Sequence, residues 1–223
     1  GVQVADVVVG FQRVLGWDLQ RVKAAAAGSE GVPFDAFCWD LYAKVAEGGS
    51  GLIITGDFTV LPDGFFDQPI RRPAYEDVRI DGYARLPEVV HHAEPGCRIV
   101  AQISAEYPGV GPSDLASPFS SEHTRPLSTP DVRRIAECFA VVFAGLRDEG
   151  FDGVQLHAAH GGFLSRFLSP YSNRRVDEYG DSVRSRARIV REIVARARER
   201  VGDWPILIKV NGTDYVAGGV DGS

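Results

Sequence analysis

The sequence predicts an α/β domain built on a parallel sheet, and three observations carry that prediction. Short apolar runs recur at 21–27, 51–55, 98–104, 153–157 and 205–210, each apolar on successive residues instead of alternating. Strands buried on both faces of a parallel sheet read that way. Longer segments with three-and-four apolar spacing lie between these runs, as crossover helices require. The polar residues of the runs gather at their C-terminal ends, where α/β folds meet their ligands.

The run at 21–27 is the first strand, followed by a helix at 34–46; the second, at 51–55, is followed by a helix at 82–92. After the third strand, 98–104, comes the clearest helix, at 130–149. Ser128 or Thr129 is its N-cap and Pro130 its first residue, since proline has no N–H to lose there. Val132, Ile135, Phe139, Val142, Phe143 and Leu146 keep the spacing of one buried face, and Gly150 stops the helix. The fourth strand, 153–157, leads to a helix at 182–201 with a stripe of Val183, Ala187, Val190, Val194, Ala197 and Val201. Seven arginines between Arg184 and Arg200 occupy its other faces; beside nearby acidic residues they read as a solvated outer face, not an RNA-binding one. The fifth strand is 205–210. No repeat and no Pro-, Gly- or Ser-rich linker divides the chain, so residues 1–223 are expected to form a single domain.

Five strands and four helices allow two architectures. A (β/α)₈ barrel takes eight units and about 250 residues, so this chain would be three strands short. An open doubly wound sheet fits without a deficit. The pattern alone leaves both open.

Composition narrows the partners. Lys and Arg number 24 against 30 Asp and Glu, a net charge of −6, which argues against nucleic acid or an anionic bilayer, both of which select a basic face. No run approaches the roughly 20 apolar residues of a membrane span. Cys38, Cys97 and Cys138 are odd in number, far apart and without a CxxC pair, as expected of buried thiols in a reducing, cytoplasmic setting. Met is absent, and the Gly-rich end at 217–223 reads as a loop cut before its next element.

The strand ends hold Ala24 to Gly28 after the first run, Gly56 and Asp57 after the second, Gln102 in the third, His157 and His160 after the fourth, and Lys209 with Asn211 in the fifth. A glutamine and a lysine within apolar strands are costly to bury alone, so a polar ligand is implied. The segment LHAAHGGF sets two imidazoles three residues apart. No third ligand accompanies them, so no metal site is expected. Two N–H donors aimed at one oxygen, stabilising charge that develops on a carbonyl or nitro group, is a second reading. One core and one surface histidine is the plainest. A nicotinamide Rossmann site is disfavoured because no strand is followed by GxGxxG, and a serine hydrolase because there is no GxSxG.

The stretch GFDGVQLHAAHGGFLSRFLSPYSNRRVDEYGDS, residues 150–182, resembles the signature of the old yellow enzyme family of NADH:flavin oxidoreductases. Weaker similarity extends through VKAAAAGSEG from Val22, AEGGSGLIITG from Ala46, IVAQIS from Ile99 and ILIKVNGTDYVAGG from Ile206. The resemblance implies an FMN-binding TIM (β/α)₈ barrel, here incomplete at about strands 1 to 5. It implies that Ala25, Ala26 and Ala27 line the flavin, that Gly56 and Asp57 approach it, that Gln102 bonds its pyrimidine edge, and that Lys209 sets a cation beside N1 and O2. A fixed ammonium there stabilises the negative charge that reduction leaves on that edge. His157 and His160 match the pair that grips the oxygen of an activated alkene. NADH or NADPH is the implied reductant; an activated alkene, quinone, nitro compound or oxygen is the implied small-molecule acceptor. Arg174, Asp177, Glu178 and Tyr179 are read as fixing the loop that follows the fourth strand.

The chain departs from the family pattern in three places. Gly162 stands where relatives carry the tyrosine that protonates the alkene, so Tyr107, Tyr171 or water would have to serve; a lost general acid typically costs about 10²- to 10⁴-fold. Ala27 stands where many relatives place Thr or Cys against the flavin O4 edge. The strands expected after Lys209, which supply the phosphate cradle, are not in the sequence. The chain is therefore expected to belong to a longer oxidoreductase or to pair as a homo-oligomer. A catalytically inactive half-barrel acting as a binding or assembly module is the opposing expectation.

Overall fold

The computed structural model describes residues 34–60, 85–105, 109–115 and 124–221. The strand expected at 21–27, with Ala25, Ala26 and Ala27, lies outside them, as do Tyr107 and His123. In chain order the elements are α1 (Phe34–Glu47), β1 (Leu52–Thr59), α2 (Arg85–Ala93), β2 (Arg98–Ser104), β3 (Val110–Gly111), β4 (Arg125–Pro126), α3 (Thr129–Asp148), β5 (Gly153–Ala158), α4 (Phe163–Leu168), α5 (Val183–Arg186), α6 (Arg188–Val201) and β6 (Ile206–Val210).

Four strands form a wholly parallel sheet in the order β1-β2-β5-β6, and β3 pairs with β4 in a small second sheet. Sequential order with a helix in each main crossover is the arrangement of a wound barrel wall; a doubly wound sheet instead reverses its strand order at a switch point. α3 begins with a full capping box: the Ser128 hydroxyl accepts from the Asp131 N–H and the Asp131 carboxylate accepts from the Ser128 N–H, both at 3.3 Å.

One face of the sheet is the core. Ile99, Ala101, Ile103, Val154, Leu156 and Ala158 alternate onto it and are buried beneath α3 and α6, which present Ile135, Phe139, Phe143, Ile189, Ile193 and Ala197. The other face carries Gln102, Gln155, His157 and Lys209, so the period-2 pleat divides oil from chemistry.

The short elements β3, β4 and α4 were not expected from the sequence, and two of the expected elements differ in extent. β1 runs to Thr59, so Gly56 and Asp57 lie inside it and not after it. Its register slips between Ile54 and Asp57, and there the Thr55 hydroxyl accepts the Gln102 N–H at 3.1 Å while Tyr42 of α1 accepts the Gly56 N–H at 3.0 Å. Side chain and helix thus replace the ladder bonds that a bulge removes. The helix expected at 182–201 is broken at Ala187 into α5 and α6. Its arginines serve as the outer face expected of them: Arg196 and Arg200 reach Glu137 on α3, Arg188 reaches Glu178 and Glu192, and Arg186 and Arg198 bond backbone carbonyls.

Candidate functional site

Parallel register assembles the site. Asp57 lies opposite Gln102, Gln102 opposite Gln155, and two residues further along the same face His157 lies opposite Lys209. Four residues dispersed from 102 to 209 are thereby set side by side, on the inner face of the wall. The amide of Gln102 donates to the Gln155 carbonyl at 2.7 Å, which fixes both side chains and satisfies part of their polarity. Gln155 escaped the sequence reading, although its place two residues before His157 puts it on the same face.

His157 is buried, and His160 is exposed at the turn after β5. Their rings stand at 71° with Nε2 of His157 3.2 Å from Nδ1 of His160. Burial first, then electrostatic coupling to His160 and to Lys209, push the His157 imidazole below its ordinary pKa. With its pKa lowered below that of a free imidazole, it is neutral at pH 7. Its Nδ1 is buried without a hydrogen-bond partner.

His160 adopts a left-handed φ of 57°, followed by Gly161 at 72°. Asn211, the residue after β6, holds that turn: its Oδ1 accepts the His160 N–H at 2.9 Å, and its amide donates to Asp214 at 3.0 Å and Ser165 at 3.3 Å. Gly162 is the N-cap of α4 in extended conformation with no side-chain cap bond. Around the rim, Asp177 is held by Arg175 and Thr129, and Tyr179 is fully buried with its hydroxyl on Glu192 at 2.7 Å. Arg174 bonds Ser113 and the Tyr171 carbonyl, and Glu178 pairs with Arg133 and Arg188. These residues fix the loop, as read from sequence. Among the described residues no group of three or more potential ligands could hold a metal, and no helix is long and apolar enough to cross a membrane. Cys97 is buried and Cys138 half-buried.

A parallel barrel wall whose inner face carries this polar row is the scaffold of a ligand-binding α/β enzyme. Residues 22–223 match the family described as NADH:flavin oxidoreductase / NADH oxidase, and the chain belongs to that family. It is 36% identical over 188 residues to the NADPH dehydrogenase of Bacillus subtilis strain 168, covering 81% of this chain and 54% of that protein. It is 35% identical over 200 residues to the NADH oxidase of Thermoanaerobacter brockii, covering 81% of this chain and 29% of that one. The old yellow enzyme homologue of Zymomonas mobilis superposes with a TM-score of 0.66 at 23% identity, over 81% of this chain and 55% of that chain, a likeness of fold. The fold is thus that of a TIM barrel of the old yellow enzyme type, present in part. The chain spans about half the length of the B. subtilis relative and less than a third of the T. brockii one.

FMN is the flavin of this family and NAD(P)H its reductant. The residues present fit the flavin's polar edge. An amide pair, an ammonium and an orphaned buried imidazole nitrogen share one face, and a Cβ added at Gly56 would meet nothing within 4 Å, leaving open space before the strand.

Proposed function

We propose that this protein is an FMN-dependent oxidoreductase that takes hydride from NADH or NADPH and delivers it to an activated alkene, quinone, nitro compound or oxygen. The observation that supports it most directly is the row Gln102, Gln155, His157 and Lys209 on one sheet face, in a chain of this family. Residues 1–223 then form one domain, the N-terminal and central part of the barrel. When bound, FMN supplies two-electron chemistry, accepting hydride from the nicotinamide and passing it to the acceptor.

Each side chain has a separate task. Gln102, fixed by Gln155, would offer its remaining amide capacity to the flavin's pyrimidine edge, and Gly56 and Asp57 would border the ring from β1. Ala25, Ala26 and Ala27 would border it from the first strand. Lys209 would hold a positive charge where electron density accumulates. His157 and His160 would donate to the acceptor's oxygen, making its β-carbon electrophilic and stabilising the enolate that follows. Because His157 is kept neutral, this polarisation costs no proton, and the developing charge is met by N–H dipoles already in place.

The test is direct. In the FMN-loaded protein, mixing with NADPH or NADH under anaerobic conditions should bleach the visible flavin band, and adding an enone should restore it. Replacing His157 and His160 together by Ala should slow the restoration by about 10²- to 10³-fold, the usual effect of losing such donors, and leave the bleaching within a few-fold. Restoration at an unchanged rate would remove the imidazoles from this role, and failure to bleach with either nucleotide would refute the oxidoreductase reading.

A further inference from the structure

The two imidazoles share one hydrogen bond, between Nε2 of His157 and Nδ1 of His160 at 3.2 Å, and differ in their surroundings. His157 is 4% exposed, whereas His160 is exposed at the turn after β5 and exchanges protons with water. A proton added to the pair therefore belongs to His160. Burial weighs most against charge on His157, followed by coupling to His160 and to Lys209, its partner across the β5–β6 register. A protonated imidazole is a donor at both nitrogens, and this determines the state of the pair. The His160 Nδ1–H donates to His157 Nε2, His157 keeps its hydrogen on the buried Nδ1, and His160 presents a second N–H at Nε2.

We propose that His160 is the general acid of the reaction, that it gives its Nε2 proton to the oxygen of an enone and not to a carbon, and that the product leaves the site as an enol. The inference rests on the function proposed above and adds the source and destination of the proton. Hydride from the reduced flavin forms a C–H bond at the β-carbon, the alkene pair moves to join the α-carbon to the carbonyl carbon, and the carbonyl pair moves onto oxygen. That oxygen takes the Nε2 proton. His160 becomes neutral with its Nδ1–H still on His157, and water reprotonates Nε2. In bulk water the enol loses its O–H proton and gains one at the α-carbon, on either face.

Three further observations support the assignment. A catalytic imidazole has its tautomer set by the bond that its other nitrogen makes, and neutral His157 is that partner; Asn211 adds a hold on the backbone, accepting the His160 N–H at 2.9 Å. A carboxylate accompanies the charge. Asp214 bonds the same Asn211 and lines the same cavity as His160; burial would raise it, but Ser169, the Val220 N–H and Asn211 hold it below the usual carboxylate range. Other described groups around the site have no proton to spare: the Tyr179 hydroxyl is on Glu192 in the core, Asp177 is ionised beside Arg175, and Gly162 has no side chain. Tyr171 and Tyr215 line the cavity beside His160, of which Gln102, His157 and Lys209 form no part.

The handedness of a product tests the proposal. Reduction of 2-methylcyclohex-2-enone gives 2-methylcyclohexanone, whose α-carbon is a stereocentre set by the face that receives the proton. With the flavin-loaded protein and NADPH or NADH, under conditions in which added single-handed ketone keeps its hand, the ketone formed should be racemic. An excess of one hand means that the proton reaches carbon inside the site, and overturns the proposal; loss of that excess in Tyr171→Phe would assign the delivery to Tyr171. His160→Gln keeps an N–H for the oxygen but has no proton to give, so ketone formation should fall by roughly 10²-fold or more, the usual worth of a general acid, at unchanged flavin content. A variant as fast as the unaltered protein also overturns the acid role. Independently of turnover, ¹⁵N spectra of the oxidised, flavin-loaded protein should show scalar coupling between His160 Nδ1 and His157 Nε2; its absence removes the pairing on which the tautomer depends. Bleaching of the flavin with no ketone formed refutes the acceptor proposed above, and the acid role with it.

Discussion

His160 is a non-glycine residue held at φ 57°, a conformation that costs roughly 1–3 kcal/mol and persists only where neighbours impose it. Asn211 is the neighbour that imposes it, through the 2.9 Å bond to the His160 N–H. Asn211 follows directly on the strand that carries Lys209, so the two halves of the site are tied by one amide. Asn211→Ala should therefore lower kcat for enone reduction about tenfold through loss of His160 placement, with flavin content unchanged. Asn211→Asp, which retains the acceptor, should recover part of that loss; equal damage from both would make Asn211 a structural residue only. Two positions further along, Gly162 caps α4 with no side-chain bond to lose and with φ −63°, which any residue adopts. Gly162→Tyr should accordingly fold normally and install a phenol beside the imidazoles. The expected result is faster enone reduction, by up to the roughly 10²- to 10⁴-fold that a general acid supplies, with NADPH oxidation by oxygen unchanged. Acceleration of both reactions together would show that proton supply is not what the glycine lacks.

The loop between α4 and α5 is fixed by charge and by one tight approach, and each gives a measurable consequence. Its Asp177 carboxyl is lowered to about 2, first by the Arg175 guanidinium and further by the Tyr179 N–H and Thr129 hydroxyl, against the opposing effect of burial. A carboxyl depressed in the folded state contributes stability that is present above its unfolded value, near 3.9, and is lost as pH falls toward 2. Asp152 acts in the same direction: burial would raise it, but the Ile99 N–H, His91 and Arg98 outweigh that and lower it. Unfolding free energy should thus drop between pH 4 and 2, and Asp177→Asn should flatten part of that drop in urea titrations. A slope identical to that of the unaltered protein would exclude Asp177 as a contributor. At Gly180 an added Cβ would lie 2.0 Å from the Arg175 carbonyl oxygen, so Gly180→Ala must move backbone and should cost at least about 2–3 kcal/mol. Much of this was readable beforehand. The cap, stripe and stop of α3 are local signals, and the arginine-rich outer face followed from charge pattern. The break at Ala187 was not, because neither proline nor glycine marks it. The extension of β1 was not either, since Thr55 and Tyr42 secure it across the fold.

Period-2 alternation explains both what the sequence made legible about the site and what it hid. Gln102, His157 and Lys209 stood out because polar residues interrupt apolar runs, yet only strand register places Gln155 among them and sets Lys209 opposite His157. The same alternation shows where apolar surface is left uncovered. On the polar face Leu52 and Ile54 of β1 are 50% and 38% exposed, and on the opposite face Ile208 and Val210 of β6 are 44% and 57% exposed. The core-face residues of β2 and β5 are buried under α3 and α6, whereas β6, an edge strand among the described residues, has no such cover on its half of that face. Unpaired N–H and C=O groups beside exposed Ile and Val make an edge that templates association. These 223 residues expressed alone should therefore sediment with a mass that rises with concentration in the micromolar range. Replacing Ile208 and Val210 together by Lys should reduce that dependence, because two charges on one face of an edge strand oppose pairing and stacking without altering the polar face that holds Lys209. If the unaltered chain stays monomeric up to about 100 μM, well into the micromolar-to-millimolar range in which exposed edges associate, the exposed face of β6 is not an adhesive surface.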